Sequence, residues 1–293
     1  MSLLSNAVVS PSRVRGVYRY VLSMDGEKKP TKDEIKKVMS PDSLIEDKDR
    51  SMISNVLNES VRMGLLNEDE KEIFINPDLP VEAKSKEYGE NLLPQTIFHL
   101  ISDKNKTENH NICQAIAWYL TQDIYKAPGS WKAVEEALFD QVGGDRLCVT
   151  NDIRFGQLKD WIVYLGFAWI HHHNKAEVLV PDPTCYLREK LKDIFRNVGT
   201  TLPVLEVMEI VAGMCPVLEH GHIRKAINKV TDRENEEGYL SSVTSFAWQR
   251  LRDEKNIELT YRSDANVIIF PGLQDNSGRV SEITWVGGGI SGV

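Results

Sequence analysis

The sequence has few cysteines and no long apolar runs. Its 4 cysteines among 293 residues are far apart and form no Cys-x-x-Cys pair, which excludes a zinc ribbon and a disulfide framework. No segment approaches the roughly 20 apolar residues that a membrane span needs, and the first residues lack the basic start and long apolar core of a signal peptide. We therefore expect a reduced, cytoplasmic protein with no membrane contact.

The sequence also lacks an excess of positive charge. It contains 35 Lys and Arg against 43 Asp and Glu, which gives a net charge of -8. Such a chain does not coat phosphate backbones through its overall charge, because non-specific nucleic-acid binding needs many cations. Any contact with DNA must depend on a local basic face.

Catalytic motifs are missing as well. The sequence has no Gly-x-Ser-x-Gly, and its glycine run at residues 287–289 is followed by no helical pattern that would form a phosphate loop. Carboxylates are scattered along polar faces, so no acid–base pair stands out. These absences predict a protein that is not an enzyme and has no cofactor.

A histidine run is the most conspicuous candidate for a metal site. His171 and His173 would share one face of a strand, which is the basis of a third and weaker hypothesis, a metal-dependent hydrolase. No acidic or cysteine partner stands nearby at ligand spacing, so the coordination shell would be incomplete. We predict a polar hairpin tip and no metal.

What the sequence does contain is a pattern that occurs three times, at residues 51–80, 151–183 and 241–271. Each copy has an amphipathic helix, a residue suited to a left-handed turn, two short apolar strands around a polar turn, and a proline. A helix that runs directly into a β-hairpin is typical of the last helix and wing of a winged-helix domain. The residue that ends the helix is, in turn, Gly64, Gly166 and Asn256.

Apolar periodicity predicts the remaining helices and several details of the three copies. Ile153 is expected on the inner face of the second copy, whereas Trp248 falls off the apolar face of the third and is a candidate contact. In the third copy, the segment at 257–259 is expected to pair with 267–270. Further helices are predicted at 11–24, 31–40 with a capping box, 92–102, 112–120, 131–142, 184–195, 201–214 and 220–230.

These patterns predict a mainly α protein with small β-hairpins, an α+β arrangement made of three tandem winged-helix domains. The expected boundaries are 1–84, 85–183 and 184–273. Residues 274–293 are rich in Gly and Ser, and they are expected to form a flexible tail or a strand given to a partner.

The third helix of each domain is the candidate DNA contact, because the equivalent helix of helix-turn-helix proteins enters the major groove. Asn and Gln pair with adenine and Arg with guanine, although any exposed helix carries such residues, and acidic side chains lie among them. The first domain is favoured because its second helix is rich in lysine. The candidates are Arg13, Arg15, Lys36, Lys37, Arg50, Ser51, Asn55 and Asn58 in the first domain, Arg154, Gln157 and Lys159 in the second, and Ser242, Ser245, Gln249 and Arg252 in the third.

The opening at residues 1–4, with the sequence MSLL, the size of the chain and the helix-plus-wing arrangement resemble the DpdG family. That family comprises accessory proteins of bacterial islands that install 7-deazaguanine bases in DNA and act in phage defence. The resemblance implies a multi-protein DNA-modification or restriction system as the setting, and it implies no catalytic residues.

Two functional hypotheses remain open. The first is a non-catalytic adaptor that binds double-stranded DNA, mainly through its first domain, and other proteins of the same system. The alternative is a protein-interaction scaffold that docks an ATPase, a nuclease or a modification enzyme without binding DNA itself.

Overall fold

The protein is mainly α-helical, with small antiparallel sheets, as the sequence predicts. The chain divides into two compact units, of which unit 1 is Met1–Ile112 with Asp152–Leu165 and unit 2 is Cys113–Asn151 with Gly166–Val293. Each unit is thus built from two separate stretches of chain. The computed structural model describes residues 3–5, 8–24, 29–41, 43, 51–104, 110–143, 147–173, 176–233 and 236–287.

Helices and short strands alternate along the described residues. The helices are α1 (Pro11–Met24), α2 (Lys32–Met39), α3 (Ser51–Arg62), α4 (Leu93–Ser102), α5 (His110–Leu120), α6 (Trp131–Val142), α7 (Asp152–Tyr164), α8 (Thr184–Phe195), α9 (Val204–Met214), α10 (His222–Thr231) and α11 (Ser242–Asp253). The strands are β1 (Leu66–Asp69), β2 (Glu72–Ile75), β3 (Ala168–His173), β4 (Ala176–Pro181), β5 (Thr201–Pro203), β6 (Ile257–Thr260), β7 (Ile268–Ile269), β8 (Arg279–Val280) and β9 (Glu282–Trp285). Short 3-10 helices occur at Leu3–Ser5, Glu82–Lys84 and Asp275–Gly278.

The first two helices of unit 1 begin where their sequences favour a helix start. Pro11 occupies the first position of α1, where its fixed φ suits a helix and its missing N–H is not needed. Thr31 caps α2: its hydroxyl accepts from the Glu34 backbone N–H, and the Glu34 carboxylate accepts from the Thr31 backbone N–H at 2.8 Å. The predicted capping box is confirmed.

The repeated pattern is confirmed in unit 1. Gly64 follows α3 with a φ of +84°, a left-handed conformation that glycine adopts without strain. β1 and β2 then form an antiparallel hairpin with Leu66 opposite Ile75. Thr31 forms an antiparallel bridge with Glu72, so the order across the small sheet is Thr31, β2, β1.

The core of unit 1 lies where α1, α3 and β2 pack together, and α7 packs on α1 and on the first 3-10 helix. Val17, Val56 and Ile73 are buried there. Trp161 of α7 is also buried, and its indole N–H donates to the Val9 carbonyl at 3.2 Å. A helix from much later in the chain therefore completes this core.

Unit 2 shows the same local rules. Ser130 caps α6, and its hydroxyl accepts from the Ala133 N–H at 3.4 Å. Gly166 has a φ of +84° and leads into the β3–β4 hairpin, which confirms the predicted stop. A Cβ at this position would lie 3.1 Å from the backbone nitrogen of Tyr186, so close packing adds to the requirement for glycine.

The predicted hairpin of the third copy is wrong. β6 pairs with β9, and β7 pairs with β8, so that the larger sheet has the order β5-β9-β6 with β9 in the middle. Residues 279–285, which the sequence assigns to a flexible tail, thus form strands, and Ile283 is fully buried. Strands that pair across a long connection leave no local turn signal. The remaining tail, residues 288–293, lies outside the described part of the chain.

Further local predictions are corrected as well. Ile153 is 59% exposed. Trp248 is fully buried, because α11 also buries the small side chains of Thr244 and Ser245 and so has a wide inner face. The predicted helix at 201–214 begins later, since its first three residues form β5. The left-handed residue after α11 is Lys255, with a φ of +59°, rather than Asn256.

No helix in the described stretches is both long enough and apolar enough to cross a membrane. The three-domain boundaries stay a prediction, as does the winged-helix identity of each domain. The two units do not follow those boundaries, because α7 belongs to unit 1 and the hairpin that follows it belongs to unit 2.

Candidate nucleic-acid and protein interface

The outer face of α3 is the most accessible of the predicted DNA contacts. Ile53, Val56 and Leu57 are buried against unit 1, which leaves Ser51 and Asn58 exposed on the opposite side. Asn55, also a candidate, is half-buried, and Arg50 lies outside the described residues. α3 thus presents a polar and nearly uncharged surface.

The predicted basic side chains of α1 interact mainly within unit 1. Arg13 donates to the Val8 carbonyl at 2.8 Å. Arg15 forms an ion pair with Glu90 at 2.7 Å, and Arg19 approaches the same carboxylate at 3.4 Å. Glu90 therefore partly neutralises the charge that Arg15 and Arg19 offer to a phosphate, whereas Arg13 keeps its charge but is held by the backbone.

The lysines of α2 lie beside α3, because the two helices pack together. Lys32 forms an ion pair with Glu68 at 2.7 Å and donates to Asn58 at 3.4 Å. Lys36 lies 3.7 Å from Asp33. Lys37 is exposed and pairs with no acidic group in the described chain, so it is the freest of these cations.

The β1–β2 hairpin carries more acid than base. Glu68, Asp69, Glu70 and Glu72 surround a single lysine, Lys71, and all five side chains are exposed. A wing that contacts DNA usually brings cations to the phosphate backbone. This hairpin would instead repel phosphate.

The candidates on α7 are less accessible than the sequence predicts. Gln157 is only 7% exposed, whereas Arg154 and Lys159 are half-buried. The helix packs against α1 and the first 3-10 helix of unit 1. Gln157 is therefore buried, which corrects its predicted position on the exposed side of the helix.

The candidates on α11 interact with neighbouring parts of unit 2. Ser245 is fully buried and donates to the Pro271 carbonyl at 2.7 Å, and Gln249 donates to the same carbonyl at 3.0 Å. Ser242 accepts from the Ile124 N–H at 3.1 Å. Arg252 forms ion pairs with Asp275 at 3.0 Å and with Asp253 at 2.9 Å. The side chains of α11 thus fix this helix in place.

A buried ion pair in unit 2 was not predicted from the sequence. Glu219 and Arg224 are 5% and 1% exposed, and their nearest charged atoms are 3.6 Å apart. Glu219 also accepts hydrogen bonds from the hydroxyls of Ser241 and Thr244 at the start of α11. The sequence signal, an acid five residues before an arginine near a helix start, is too common to single out such a pair.

The electrostatics of this pair follow from its surroundings. Burial acts to raise the pKa of Glu219, but the Arg224 guanidinium and the Ser241 and Thr244 hydroxyls hold that pKa below its usual range. Burial also lowers the pKa of Arg224, against the opposing effect of Glu219. The pair is charged and sequestered, so its role is to join the start of α10 to the start of α11.

The histidine run forms part of the β3–β4 hairpin. His171 and His172 are exposed, and the His171 ring packs edge-on to Trp169 with 5.6 Å between ring centroids. His172 lies 4.0 Å from Glu177. Among the described side chains, which do not include that of His173, no group of three His, Cys, Asp or Glu residues is placed to hold a metal ion.

Comparison with families of known proteins places this chain in a family. A family described as DpdG-like matches residues 1–265, which is most of the chain. No curated protein and no solved structure matches it. Because the family match extends over far more than half of the sequence, this chain belongs to the DpdG-like family.

Proposed function

We propose that this protein is a non-catalytic adaptor of a DNA-modification system and that it works chiefly by docking other proteins. The observation that carries this proposal is the internal use of α7 and α11. In a winged-helix DNA reader the equivalent helix must expose its side chains to base edges. Here Gln157, Ser245 and Gln249 lie inside or contact their own units, so two of the three candidate reading helices serve packing.

The strand order supports a winged-helix ancestry for at least two parts of the chain. In unit 1, the bridge at Thr31 places the residue before α2 next to β2, the last strand of the hairpin. In unit 2, β5 directly precedes α9 and pairs with β9, the last strand of its sheet. In both cases the earliest strand neighbours the latest one. Such folds serve many functions, so the surface decides the role.

Charge supports protein docking over DNA coating. Unit 1 contains 18 Lys and Arg against 21 Asp and Glu, and unit 2 contains 17 against 22. Neither unit has the cation excess that releases counterions from a phosphate backbone. Membership of the DpdG-like family supports a setting in which DNA is modified, where an acidic adaptor would bring enzymes together.

Binding measurements with purified proteins test this proposal. Each protein encoded beside this chain is immobilised in turn, and binding of the full-length chain is measured at several salt concentrations. A short DNA duplex is titrated in parallel by fluorescence anisotropy. The proposal predicts that at least one protein binds while the duplex does not at physiological salt. Tight duplex binding with no protein partner would overturn it.

A second candidate function, contact with double-stranded DNA through α3, is favoured by one observation. On α3 the exposed Asn58 is a side chain that suits adenine, and Lys37 on the neighbouring helix is exposed as well. If this surface reads DNA, Asn58→Ala with Lys37→Ala should weaken duplex binding and lower its salt dependence by about one unit of slope. Arg252→Ala is the matched control, because Arg252 pairs within unit 2.

A further inference from the structure

One face of α6 is exposed along its whole length. The residues on it are spaced by three and four positions, so they form a single stripe along the helix. This stripe, here called the α6 face, contains an aromatic ring among charged side chains, and all of its members are exposed. They are Lys132, Glu135, Glu136, Phe139 and Asp140.

The aromatic ring of the α6 face lies outside the packed side of the helix. Phe139 is 73% exposed, whereas Val134, Leu138 and Val142 on the opposite side are buried. The inner side is further held by Gln141, whose side-chain carbonyl accepts from the Trp118 indole N–H at 2.9 Å. Phe139 thus leaves most of its ring in water although the helix is already anchored without it.

In the described parts of the chain, no cation pairs with the carboxylates of the α6 face. Within the described residues, Glu135, Glu136 and Asp140 form no ion pair, unlike Glu90 and Glu68, which bind cations of unit 1. Asp140 lies in the last turn of α6, where the helix dipole disfavours negative charge. The charge of Asp140 therefore does not favour the helix.

We propose that the α6 face docks a partner protein that presents Lys or Arg side chains around an apolar socket for Phe139. A central aromatic residue with a charged rim is the arrangement that concentrates binding energy in protein interfaces. The carboxylates would steer and orient a basic partner. Because the face has three acidic side chains and one lysine, it repels an acidic partner and a phosphate backbone alike. This inference rests on the proposed adaptor function.

The test uses the full-length chain and each purified protein encoded beside it, with binding measured by biolayer interferometry. The variants are Phe139→Ala and Glu136→Lys. Their matched controls, Leu205→Ala and Glu209→Lys, change an exposed apolar and an exposed acidic residue on α9 of the same unit. Thermal melts of all four variants check that each remains folded, which is expected because every changed side chain is exposed.

We expect one protein to bind the wild-type chain and both control variants equally. Phe139→Ala and Glu136→Lys should each weaken that binding by about ten-fold or more, and the binding should weaken with added salt. Loss of binding in the controls as well, or wild-type affinity in both α6 variants, overturns the α6 proposal while leaving the adaptor function intact. Binding of no protein at all overturns both.

Discussion

Among individual residues, Glu219 and Arg224 have the largest expected effect on stability, because both are almost completely removed from water. Arg224→Ala leaves a buried carboxylate without its cation, so we expect the free energy of unfolding to fall by about 3–5 kcal/mol. Urea denaturation at neutral pH measures this change. The exposed neighbour Lys225 serves as control, since Lys225→Ala should cost less than about 0.5 kcal/mol. Equal losses in the two variants would contradict the prediction.

The same pair predicts a dependence of stability on pH. The folded-state pKa of Glu219 is held below its usual range, so the unfolded chain binds the proton more readily. The stabilisation is complete above the unfolded pKa of about 4.3 and is lost as the pH falls through the folded pKa. Between about pH 5 and pH 3 we expect the wild type to lose more unfolding free energy than Glu219→Gln does. Identical pH profiles in urea denaturation would refute this role.

The cysteines should differ sharply in reactivity. Burial raises the pKa of the Cys113 thiol to about 12, and it raises that of Cys215 as well, so neither forms a thiolate near neutral pH. Cys185 is exposed. We expect a thiol reagent at about pH 8 to modify Cys185 first and to reach Cys113 and Cys215 only after denaturation. Mass spectrometry of the labelled peptides identifies the order, and rapid native labelling of Cys113 would contradict the buried position.

The sequence predicts the exposure of some individual side chains correctly and of others wrongly. Periodicity placed Ser51 and Asn58 on the outer face of α3, and both are exposed. It also placed Gln157 on a surface, where the structure buries it, because one helical pattern cannot reveal that a second element covers the polar side. Ion pairs such as Arg15 with Glu90 are equally invisible, since their partners lie far apart in the sequence.

Among the secondary-structure elements, β9 should be essential to unit 2, because it is the middle strand of the β5-β9-β6 sheet. Truncation after residue 273 removes it, whereas truncation after Gly287 keeps every described residue. We expect the shorter protein to lose cooperative unfolding in unit 2 and the longer one to retain it, as followed by circular dichroism and limited proteolysis. Native-like stability in the shorter truncation would contradict the strand assignment.

A milder change in the same strand is Ile283→Ala. It should lower the free energy of unfolding by about 2–5 kcal/mol, because this side chain is fully buried.

Elements were predictable where local chemistry specifies them. The Thr31 capping box and the stops at Gly64 and Gly166 follow from residues within a few positions, and all three are confirmed. The predicted third hairpin is wrong, because two apolar segments downstream of β6 could pair with it and only tertiary packing selects β9. The prediction for Trp248 is wrong for a related reason. Small Ser and Thr side chains join the buried face of α11, so that face is wider than the apolar residues alone indicate.

At the scale of the whole molecule, each unit needs two separate stretches of chain. A fragment of residues 1–112 lacks α7. The 3-10 helix with Leu3 and Leu4 then loses the helix that packs on it, and the Val9 carbonyl loses its Trp161 donor. We expect this fragment to bind a hydrophobic dye and to unfold at lower urea than the same fragment joined through a flexible linker to residues 152–165. Equal midpoints in urea denaturation would show that α7 is dispensable to unit 1.

The late position of α7 in the sequence also constrains how the protein folds during translation. As the ribosome releases the chain from its amino end, unit 1 must wait with an unfinished core until residue 165 has emerged. By then Cys113–Asn151 has already left the tunnel, without the later residues that complete its own unit. Neither unit can therefore fold completely before translation of the other has begun. A translational pause between residues 113 and 165 would leave both incomplete cores exposed to chaperones and proteases.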